Sequence, residues 1–401
     1  MNKNRLFIAS ALSLFVSMAT FGARTGHLTP WMNEFSLTAS NVGWIASAFL
    51  WGATISYLLF GLLVETWGTA RVIAVLFVTQ LAGIILNVFA TGFWSLFSAI
   101  LLMGVANGAL NAACNPLVTA LYPNEKAARL NRFHMWTAIG LATGALMVFI
   151  CNRIEVGWRI QIGILLIPTL IYGIMFFKQK FPATERVLLG ASYGDMIKTI
   201  LSPLFLLLSF LMILTASIEF GANQWIPSLF EKAVTNLFGQ NAFGSVLILV
   251  WISLTMALAR YFAGQILRKL SLVGVLLLST LFVGVGIYLI SVSSGWIIFV
   301  AATIFAFGVA YFWPNMIGLV AELRPMSGAL GMAIIGGMGT LGGAIILPII
   351  GGIFDHELLK LGDHLAAGAA TLQYIIVIPA FLAVVFTVMF FQIRKKRGSA
   401  H

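Results

Sequence analysis

A few ionisable side chains lie inside long apolar stretches of the sequence, where their types and positions suit them to chemistry. Arg24 and His27 are spaced i, i+3 in the first stretch, and Glu219 lies in the seventh. Ionisable groups in such places mark substrate sites, ion pathways or proton relays. Arg24 presents a planar fork of donors that suits a carboxylate, sulfonate or phosphate, whereas Glu219 and His27 are the candidates for carrying a proton. The positions also allow an Arg24–Glu219 pair, which would either line a pathway or only fix helix packing.

Other polar and aromatic residues on these stretches are candidates for binding hydroxyl groups or stacking on a sugar ring. The fourth stretch has three Asn with a four-residue period, which either bind substrate or join helices through hydrogen bonds. The aromatic residues of the tenth stretch suit a sugar site and a core helix equally, and His134 either binds substrate or lies at the membrane interface. The predicted substrate-binding residues are Arg24, His27, Asn107, Asn111, Asn115, His134, Thr137, Asn223, Gln224, Trp225, Tyr311, Trp313 and Asn315.

Enzyme motifs fail on inspection. Gly337, Gly339 and Gly342 match the G-x-G-x-x-G pattern, but they lie inside an apolar stretch with no preceding strand. Small residues there predict close helix packing instead. The sequence has no Walker loop and no G-x-S-x-G motif, and Cys114 and Cys151 are predicted to be packed thiols. We therefore expect neither an enzyme nor a protein that holds a metal or a cofactor.

The composition indicates what surrounds these residues. Of 401 residues, 60% are hydrophobic and 9% are charged, whereas a soluble globule carries roughly 25% charged residues. The net charge is +11, and most of the Lys and Arg residues lie in short breaks between apolar stretches. This distribution argues against nucleic acid as a partner. This layout is typical of a protein that crosses a lipid bilayer many times.

The apolar stretches are long enough to be membrane-spanning helices, each of which needs about 20 residues. We take the first as an uncleaved helix rather than a signal peptide, because it is long and a second span follows closely. The twelve predicted spans are 6–32, 43–63, 71–91, 94–121, 133–152, 158–177, 203–229, 244–267, 272–291, 295–321, 328–352 and 372–393.

The distribution of positive charge predicts the orientation of these spans. With the N-terminus inside, 17 of the 23 Lys and Arg residues fall on the inner side and 4 on the outer side, while Arg24 and Arg260 lie within spans. Cytoplasmic loops carry the excess of positive residues. We therefore expect a multi-pass protein of the cytoplasmic (inner) membrane with both termini in the cytoplasm.

The chain also divides into two similar halves. Phe21-Gly22-Ala23 recurs as Phe220-Gly221-Ala222, and Gly104-Val105-Ala106 recurs as Gly308-Val309-Ala310, in corresponding spans. A repeat at nearly one offset predicts a duplicated six-helix unit. The predicted domains are an N-terminal bundle over 1–177, a cytoplasmic connecting segment over 178–202, and a C-terminal bundle with a short basic tail over 203–401.

These features resemble the major facilitator superfamily, whose members have twelve helices in two pseudo-symmetric bundles. Its signature loop, G-x-x-x-D-R/K-x-G-R/K-R/K, is similar to residues 61–71, although Thr66 stands at the first basic position. A weaker half-copy over 264–269 follows the eighth span, with Arg260 one turn before it. The resemblance implies gating or packing roles near the inner ends for Gly61, Glu65, Gly68, Arg71 and Arg260.

Within the superfamily the chain most resembles the fucose:proton symporter branch. Asn115-Pro116, the run 128–131 (Ala-Arg-Leu-Asn) and Trp313-Pro314 match that branch's motifs. Two carboxylates that serve sugar binding and proton coupling in the branch are replaced, by Gly26 and Asn111. Either the substrate differs, or Glu219 and His27 handle the proton instead.

Two substrate classes follow from these residues. The first is a sugar or related small polar solute, taken up by proton-coupled symport through alternating access. The second is an organic anion held by Arg24. Efflux of amphipathic compounds is a further alternative, and a channel or receptor fits poorly with the duplicated design. The partners expected are the small-molecule substrate, protons and the lipid bilayer, and the resemblance implies a monomer.

Overall fold

A computed structural model describes residues 2–229 and 244–398, apart from the side chains at 25, 29, 39, 40, 222–225, 227–229, 244, 245 and 393–398. The described residues form helices and no strands. The helices are α1 (Lys3–Phe35), α2 (Ala39–Trp67), α3 (Thr69–Val88), α4 (Phe93–Leu121), α5 (Lys126–Arg153), α6 (Trp158–Ile164), α7 (Leu166–Phe176), α8 (Glu185–Leu188), α9 (Tyr193–Ile200), α10 (Pro203–Leu229), α11 (Gly244–Leu267), α12 (Leu272–Val292), α13 (Ile297–Val309), α14 (Phe312–Leu323), α15 (Gly328–Leu361), α16 (His364–Ile375) and α17 (Val377–Gly398).

The described residues contain twelve helical segments long and apolar enough to cross a membrane, which confirms the predicted fold class. Three of these spans consist of two helices each: α6 with α7, α13 with α14, and α16 with α17. Three spans reach much further than predicted, and the first of them is α5, which begins at Lys126 rather than residue 133. α15 continues to Leu361 rather than residue 352, and the twelfth begins at His364 rather than residue 372. Hydropathy locates the apolar part of a helix, but a helix also continues beyond it.

The three breaks have one cause that the sequence carries. A proline follows each break at the third position of the next helix, namely Pro168 in α7, Pro314 in α14 and Pro379 in α17. Proline has no N–H to donate to the carbonyl four residues earlier, and its ring crowds that carbonyl. The helix is interrupted there as a result. Pro116 and Pro348 nevertheless lie inside α4 and α15 without a break.

The first six spans, α1 to α7, and the last six, α10 to α17, are called here the N-terminal and C-terminal halves. α2 packs on α15, and α5 packs on α11. A Cβ atom added to Gly61 would lie 2.5 Å from the Cβ of Ala333, and one added to Gly264 would lie 3.5 Å from that of Ala128. The halves therefore touch at the end of the molecule that carries the connecting segment. The domain boundaries at 177 and 203 stay a prediction.

Glycines allow the helices within each half to approach closely. Ser217 donates a hydrogen bond of 3.1 Å to the carbonyl of Gly342, which lies directly against the backbone of Ile213. The prediction that the glycines of 337–342 serve close helix packing is thus confirmed. Cys114 and Cys151 are buried free thiols, also as predicted.

We expect Gly104→Ala to lower the stability of the folded protein. A Cβ atom there would lie 2.9 Å from the Cα of Phe49, so α2 and α4 would have to move apart. Overpacking of this kind costs about 1–3 kcal/mol. Gly352→Ala in α15 is the control, because nothing lies within 4 Å of its added Cβ atom. Thermal denaturation of the purified variants in detergent measures the difference, and equal melting temperatures would contradict this account of the helix contact.

Candidate functional site

A cavity of about 700 Å³ lies between the two halves, on the side away from the connecting segment. Its volume is within the 300–1,000 Å³ typical of small-molecule sites. The walls come from α1, α2, α4 and α5 of one half and from α10, α11, α14 and α15 of the other. Of the residues predicted for substrate, proton or gate, the cavity brings together Arg24, Asn107, Asn111, His134, Thr137, Glu219, Arg260 and Trp313.

Glu219 and Arg260 form an ion pair in the wall of the cavity. The Nη2 atom of Arg260 donates to Oε1 of Glu219 at 2.9 Å. The side chain of Arg260 is 1% exposed, and that of Glu219 is 12% exposed. Oε2 of Glu219 is buried and accepts no hydrogen bond from the described residues. One carboxylate oxygen therefore holds the arginine while the other is available to a proton or a ligand.

Arg260 also connects the two halves. Its Nη1 atom donates to the carbonyl of His134 at 3.0 Å and to Oγ1 of Thr137 at 2.6 Å, both on α5 of the N-terminal half. Its Nε atom donates to the carbonyl of Ala310 at 2.7 Å. That carbonyl is the one that Pro314 leaves without a helical donor, so the break between α13 and α14 gives Arg260 an acceptor.

The position of Arg260 differs from the one expected at the inner end of its span. It lies seven residues before Leu267, the last residue of α11, which is about 10 Å along a helix. The guanidinium consequently reaches the cavity rather than the end of the molecule that carries the connecting segment. The sequence had one signal for this, since Arg260 and Glu219 are both ionisable residues inside neighbouring apolar stretches.

Arg24 lies in the opposite wall and is buried. Its Nη1 atom donates to the carbonyl of Ala46 on α2, and its guanidinium lies 4.3 Å from the ring centre of Phe21 and 5.8 Å from that of Phe49. Glu219 pairs with Arg260 and not with Arg24. The Arg24–Glu219 pair that the sequence allowed is therefore not formed in this structure, because Arg260 on α11 of the same half is the nearer cation.

The three Asn residues of α4 are divided between the cavity and the contacts between helices. Asn107 and Asn111 line the cavity; Asn107 donates to Oγ of Ser17 at 2.8 Å, and Oδ1 of Asn111 accepts no hydrogen bond from the described residues. Asn115 instead bonds the ring of His134 at 2.9 Å, which joins α4 to α5. His134 is 1% exposed and lines the cavity, so it lies inside the helix bundle.

The aromatic residues of the tenth span are likewise divided between the cavity and the contacts between helices. Trp313 lines the cavity with its ring edge-on to Phe220, 5.8 Å between centres. The hydroxyl of Tyr311 donates to the carbonyl of Ala259 at 2.9 Å, which fixes it in the packing of α11. Asn315 accepts a hydrogen bond of 2.6 Å from Asn131 of the other half and does not line the cavity.

His27 is not brought to the cavity. Its Nε2 atom bonds the amide of Gln161 at 2.8 Å, and its ring lies beside Trp31 and Trp158. Residues i and i+3 are offset by about 60° around a helix, so Arg24 faces α2 while His27 faces α6. The side chains of Asn223, Gln224 and Trp225 lie outside the described residues.

A second polar junction joins the halves at the end that carries the connecting segment. Glu65 at the end of α2 accepts from Nε of Arg186 at 2.9 Å, from Thr184 at 2.9 Å and from the backbone N–H of Ala329 at 2.6 Å. Ala329 belongs to the first turn of α15, where free N–H groups favour a carboxylate. This cluster of Glu65, Thr184, Arg186 and the start of α15 is called here the Glu65 junction.

Arg186 is a residue that the sequence analysis did not single out. Its only signal was Thr66, which left the signature loop without its first basic residue while four basic residues lay in the connecting segment. The other three residues near α2 that were predicted for the gate lie in three different environments. Gly61 packs against Ala333, Gly68 has the positive φ of 87° that starts α3, and Arg71 is exposed and donates to the carbonyl of Trp67 at 3.2 Å.

Comparison with known proteins decides the family. The sequence model described as Major Facilitator Superfamily matches residues 6–274, more than half of the chain. The chain belongs to the Major Facilitator Superfamily. The members of this family are transporters rather than enzymes, and the resemblance stated from the signature loop and the twelve spans is confirmed.

Solved structures of this superfamily share the fold over nearly the whole chain. A variant of the E. coli fucose:proton symporter FucP superposes with a TM-score of 0.71 at 17% identity, covering 93% of this chain and 98% of FucP. The human organic anion transporter MFSD10 superposes with a TM-score of 0.72 at 13% identity, covering 96% and 100%. At these identities the likeness shows the fold alone.

Curated relatives match over shorter segments. The facilitated glucose transporter member 10 of solute carrier family 2 from Xenopus tropicalis is 22% identical over 167 residues, covering 41% of this chain and 30% of that protein. The D-xylose transporter of Levilactobacillus brevis is 24% identical over 151 residues, covering 37% and 32%. The chain thus aligns with about a third of the length of these relatives.

Proposed function

We propose that this chain is a secondary active transporter that takes up a neutral sugar or related polyol together with protons by alternating access. The curated relatives support the substrate class, since their names refer to glucose, D-xylose, myo-inositol and sugar transport. The cavity supports it as well, because its lining combines aromatic rings with amide groups.

The substrate would be held between the two halves. The ring of Trp313 offers an apolar face for the C–H groups of a sugar, and Asn107 and Asn111 lie in the opposite half for its hydroxyls. Amide side chains both donate and accept, which suits a ring of hydroxyl groups. A ligand that touches both halves binds best when they are close together, so binding favours closure of the cavity.

The observation that carries the proposal is the arrangement around Glu219. Its Oε1 atom holds Arg260, its Oε2 atom has no partner among the described residues, and Arg260 bonds α5 of the other half. Protonation of Glu219 would leave the buried guanidinium without its counter-charge, which is costly. The contact between α11 and α5 is then free to rearrange. Proton binding is thereby linked to the movement of one half against the other.

We also propose the orientation that the sequence predicts and the monomeric state that the resemblance to the superfamily implies. The chain would lie in the cytoplasmic (inner) membrane as a monomer, with both termini and the connecting segment 178–202 in the cytoplasm. The cavity would then open to the outside, as uptake requires. The distribution of Lys and Arg supports this orientation.

Uptake into proteoliposomes tests the function. The purified protein would receive an inward proton gradient and a panel of neutral hexoses, pentoses and inositols, alongside sugar acids and small organic anions. We expect saturable accumulation of one class of neutral sugar or polyol, which an ionophore that collapses the gradient removes. Accumulation of no neutral compound above that in protein-free liposomes would overturn the proposal.

The second candidate is an organic-anion carrier, and the charge of the cavity favours it. The wall contains two guanidinium groups, Arg24 and Arg260, against the single carboxylate of Glu219 among the described lining residues. Arg24 lies in the half opposite Arg260, so an anion could bring the two halves together. This candidate wins if sugar acids or other anions, and no neutral sugars, accumulate in the panel.

Arg24→Lys separates the two candidates further. An anion that Arg24 clamps with two parallel hydrogen bonds should bind about tenfold more weakly to the lysine variant, a loss of about 1.4 kcal/mol. A neutral sugar should bind to it with unchanged affinity. Arg159→Lys is the control, because Arg159 pairs with Glu34 outside the cavity. The Michaelis constant for uptake measures the effect, and an unchanged value for an anionic substrate would reject Arg24 as its clamp.

A further inference from the structure

A second cavity, of about 710 Å³, lies at the end of the molecule that carries the connecting segment. Its walls come from the start of α5 in the N-terminal half and from the α11–α12 turn and the end of α14 in the C-terminal half. We call it the α5–α11 pocket. It lies where helices begin and end, which is the depth of lipid headgroups for membrane-spanning helices.

The charge in this pocket is predominantly positive. Four basic side chains line it against two acidic ones, and the basic ones are Lys126, Arg129, Arg132 and Arg268. Lys126 pairs with Glu185, and Arg129 pairs with Glu125 at 2.9 Å. No ion pair among the described residues includes Arg132 or Arg268. Two exposed guanidinium groups therefore face one space, and the lining of the pocket has an excess of positive charge.

Apolar side chains stand directly beside these guanidinium groups. Tyr261 and Phe262 line the pocket and are 48% and 42% exposed. The guanidinium of Arg132 lies 5.1 Å from the ring centre of Tyr261. A free phosphate ion would use the cations and ignore the rings. A phospholipid uses both, since its phosphate meets the arginines while its glycerol and acyl chains lie along the aromatic rings.

We propose that the α5–α11 pocket binds the headgroup of an anionic phospholipid, with Arg132 and Arg268 holding the phosphate. Basic pockets between membrane helices recognise such headgroups by charge and by hydrogen bonds. Because α5 and α11 belong to different halves, the bound lipid contacts both halves at once. It thus stabilises the arrangement in which Ala128 lies beside Gly264 and the central cavity is open on the opposite side.

Native mass spectrometry tests the proposal directly. The purified protein is presented with phosphatidylglycerol or phosphatidylcholine in mixed micelles, and the retained lipid is counted as the collision energy rises. We expect phosphatidylglycerol to be retained over phosphatidylcholine. In the double variant Arg132→Gln/Arg268→Gln this retention should weaken about tenfold, because each basic residue near a lipid surface contributes to binding. Millimolar inorganic phosphate should not displace the lipid.

The matched control removes the same charge elsewhere on the same end of the molecule. Lys178→Gln/Lys180→Gln changes two exposed residues outside the pocket, and it should retain phosphatidylglycerol like the unmodified protein. Arg132 and Arg268 are both exposed, so folding should survive, and Arg268→Gln alone provides a milder variant with a smaller loss. Equal retention in the double variant and the control, or displacement by phosphate alone, would overturn the proposal.

Discussion

Glu219→Gln is expected to abolish proton-driven accumulation of substrate while exchange of substrate across the membrane continues. Glutamine has nearly the shape of glutamate and still offers Arg260 an oxygen acceptor, but it cannot take up a proton. With one proton per substrate, a gradient of one pH unit corresponds to about 1.4 kcal/mol, or roughly tenfold accumulation. In the variant the internal and external concentrations should become equal. Proteoliposomes with and without a pH gradient provide the measurement, and preloaded substrate tests exchange.

A matched control exists in the same half. Glu357 is also a buried carboxylate, 3% exposed and paired with Lys360, but it does not line the cavity. Glu357→Gln should leave the accumulation ratio unchanged. If Glu219→Gln still accumulated substrate against a gradient, Glu219 would not be the proton carrier. If it lost exchange as well, the effect would lie in folding or substrate binding rather than in coupling.

Arg186→Gln is expected to open the end of the molecule that carries the connecting segment. The side chain of Glu65 is 0% exposed and accepts from Arg186, Thr184 and the N–H of Ala329. Removing one partner of a buried ion pair costs about 3–5 kcal/mol. The Glu65 junction joins the N-terminal half to α15, so this cost falls on the conformation that contains it. The population should therefore shift by two or more powers of ten toward conformations in which the junction is broken.

Labelling of an introduced cysteine measures this shift. Ala333 of α15 is 1% exposed and faces Gly61 of α2 at the same end, and Cys114 and Cys151 are both buried. Ala333→Cys should react slowly with a bulky maleimide in the parent protein and much faster when Arg186→Gln is added. Arg71→Gln is the control, because it removes an exposed arginine from the signature loop. Equal labelling rates in the two variants would show that the Glu65 junction does not hold this end closed.

The sequence predicted the fold well because membrane-spanning helices have a simple hydropathy pattern. Each span must be apolar over about 20 residues, so hydropathy alone located twelve spans and their order. It also indicated Glu219 and Arg24 as residues of the central cavity. The breaks in three spans were missed, although Pro168, Pro314 and Pro379 mark them, because Pro116 and Pro348 do not interrupt their helices. Whether a proline breaks a helix depends on the neighbours that satisfy the carbonyl.

The partners of the site residues were harder to predict. The sequence placed Arg260 on the cytoplasmic side because it lies near the end of its span. In the structure, its long side chain and the free carbonyl of Ala310 direct its guanidinium into the cavity. Arg24 and His27 share a face on a helical wheel, yet they contact different helices. Hydropathy and periodicity describe one helix at a time, and these contacts arise only once neighbouring helices are in position.

The connecting segment does more than join the two halves, because it also holds helix ends in place. In α8 the consecutive residues Glu185 and Arg186 pair with Lys126 at the start of α5 and with Glu65 at the end of α2. The start of α5 and the end of α2 lie far apart in sequence, and two neighbouring residues of the connecting segment hold them in place. An engineer who wishes to insert a fluorescent protein or a crystallisation partner should leave α8 intact. The carbonyl of Ala191 accepts from Arg186 at 2.9 Å, so the insertion belongs before α8, at Lys180, which is exposed and outside the helices.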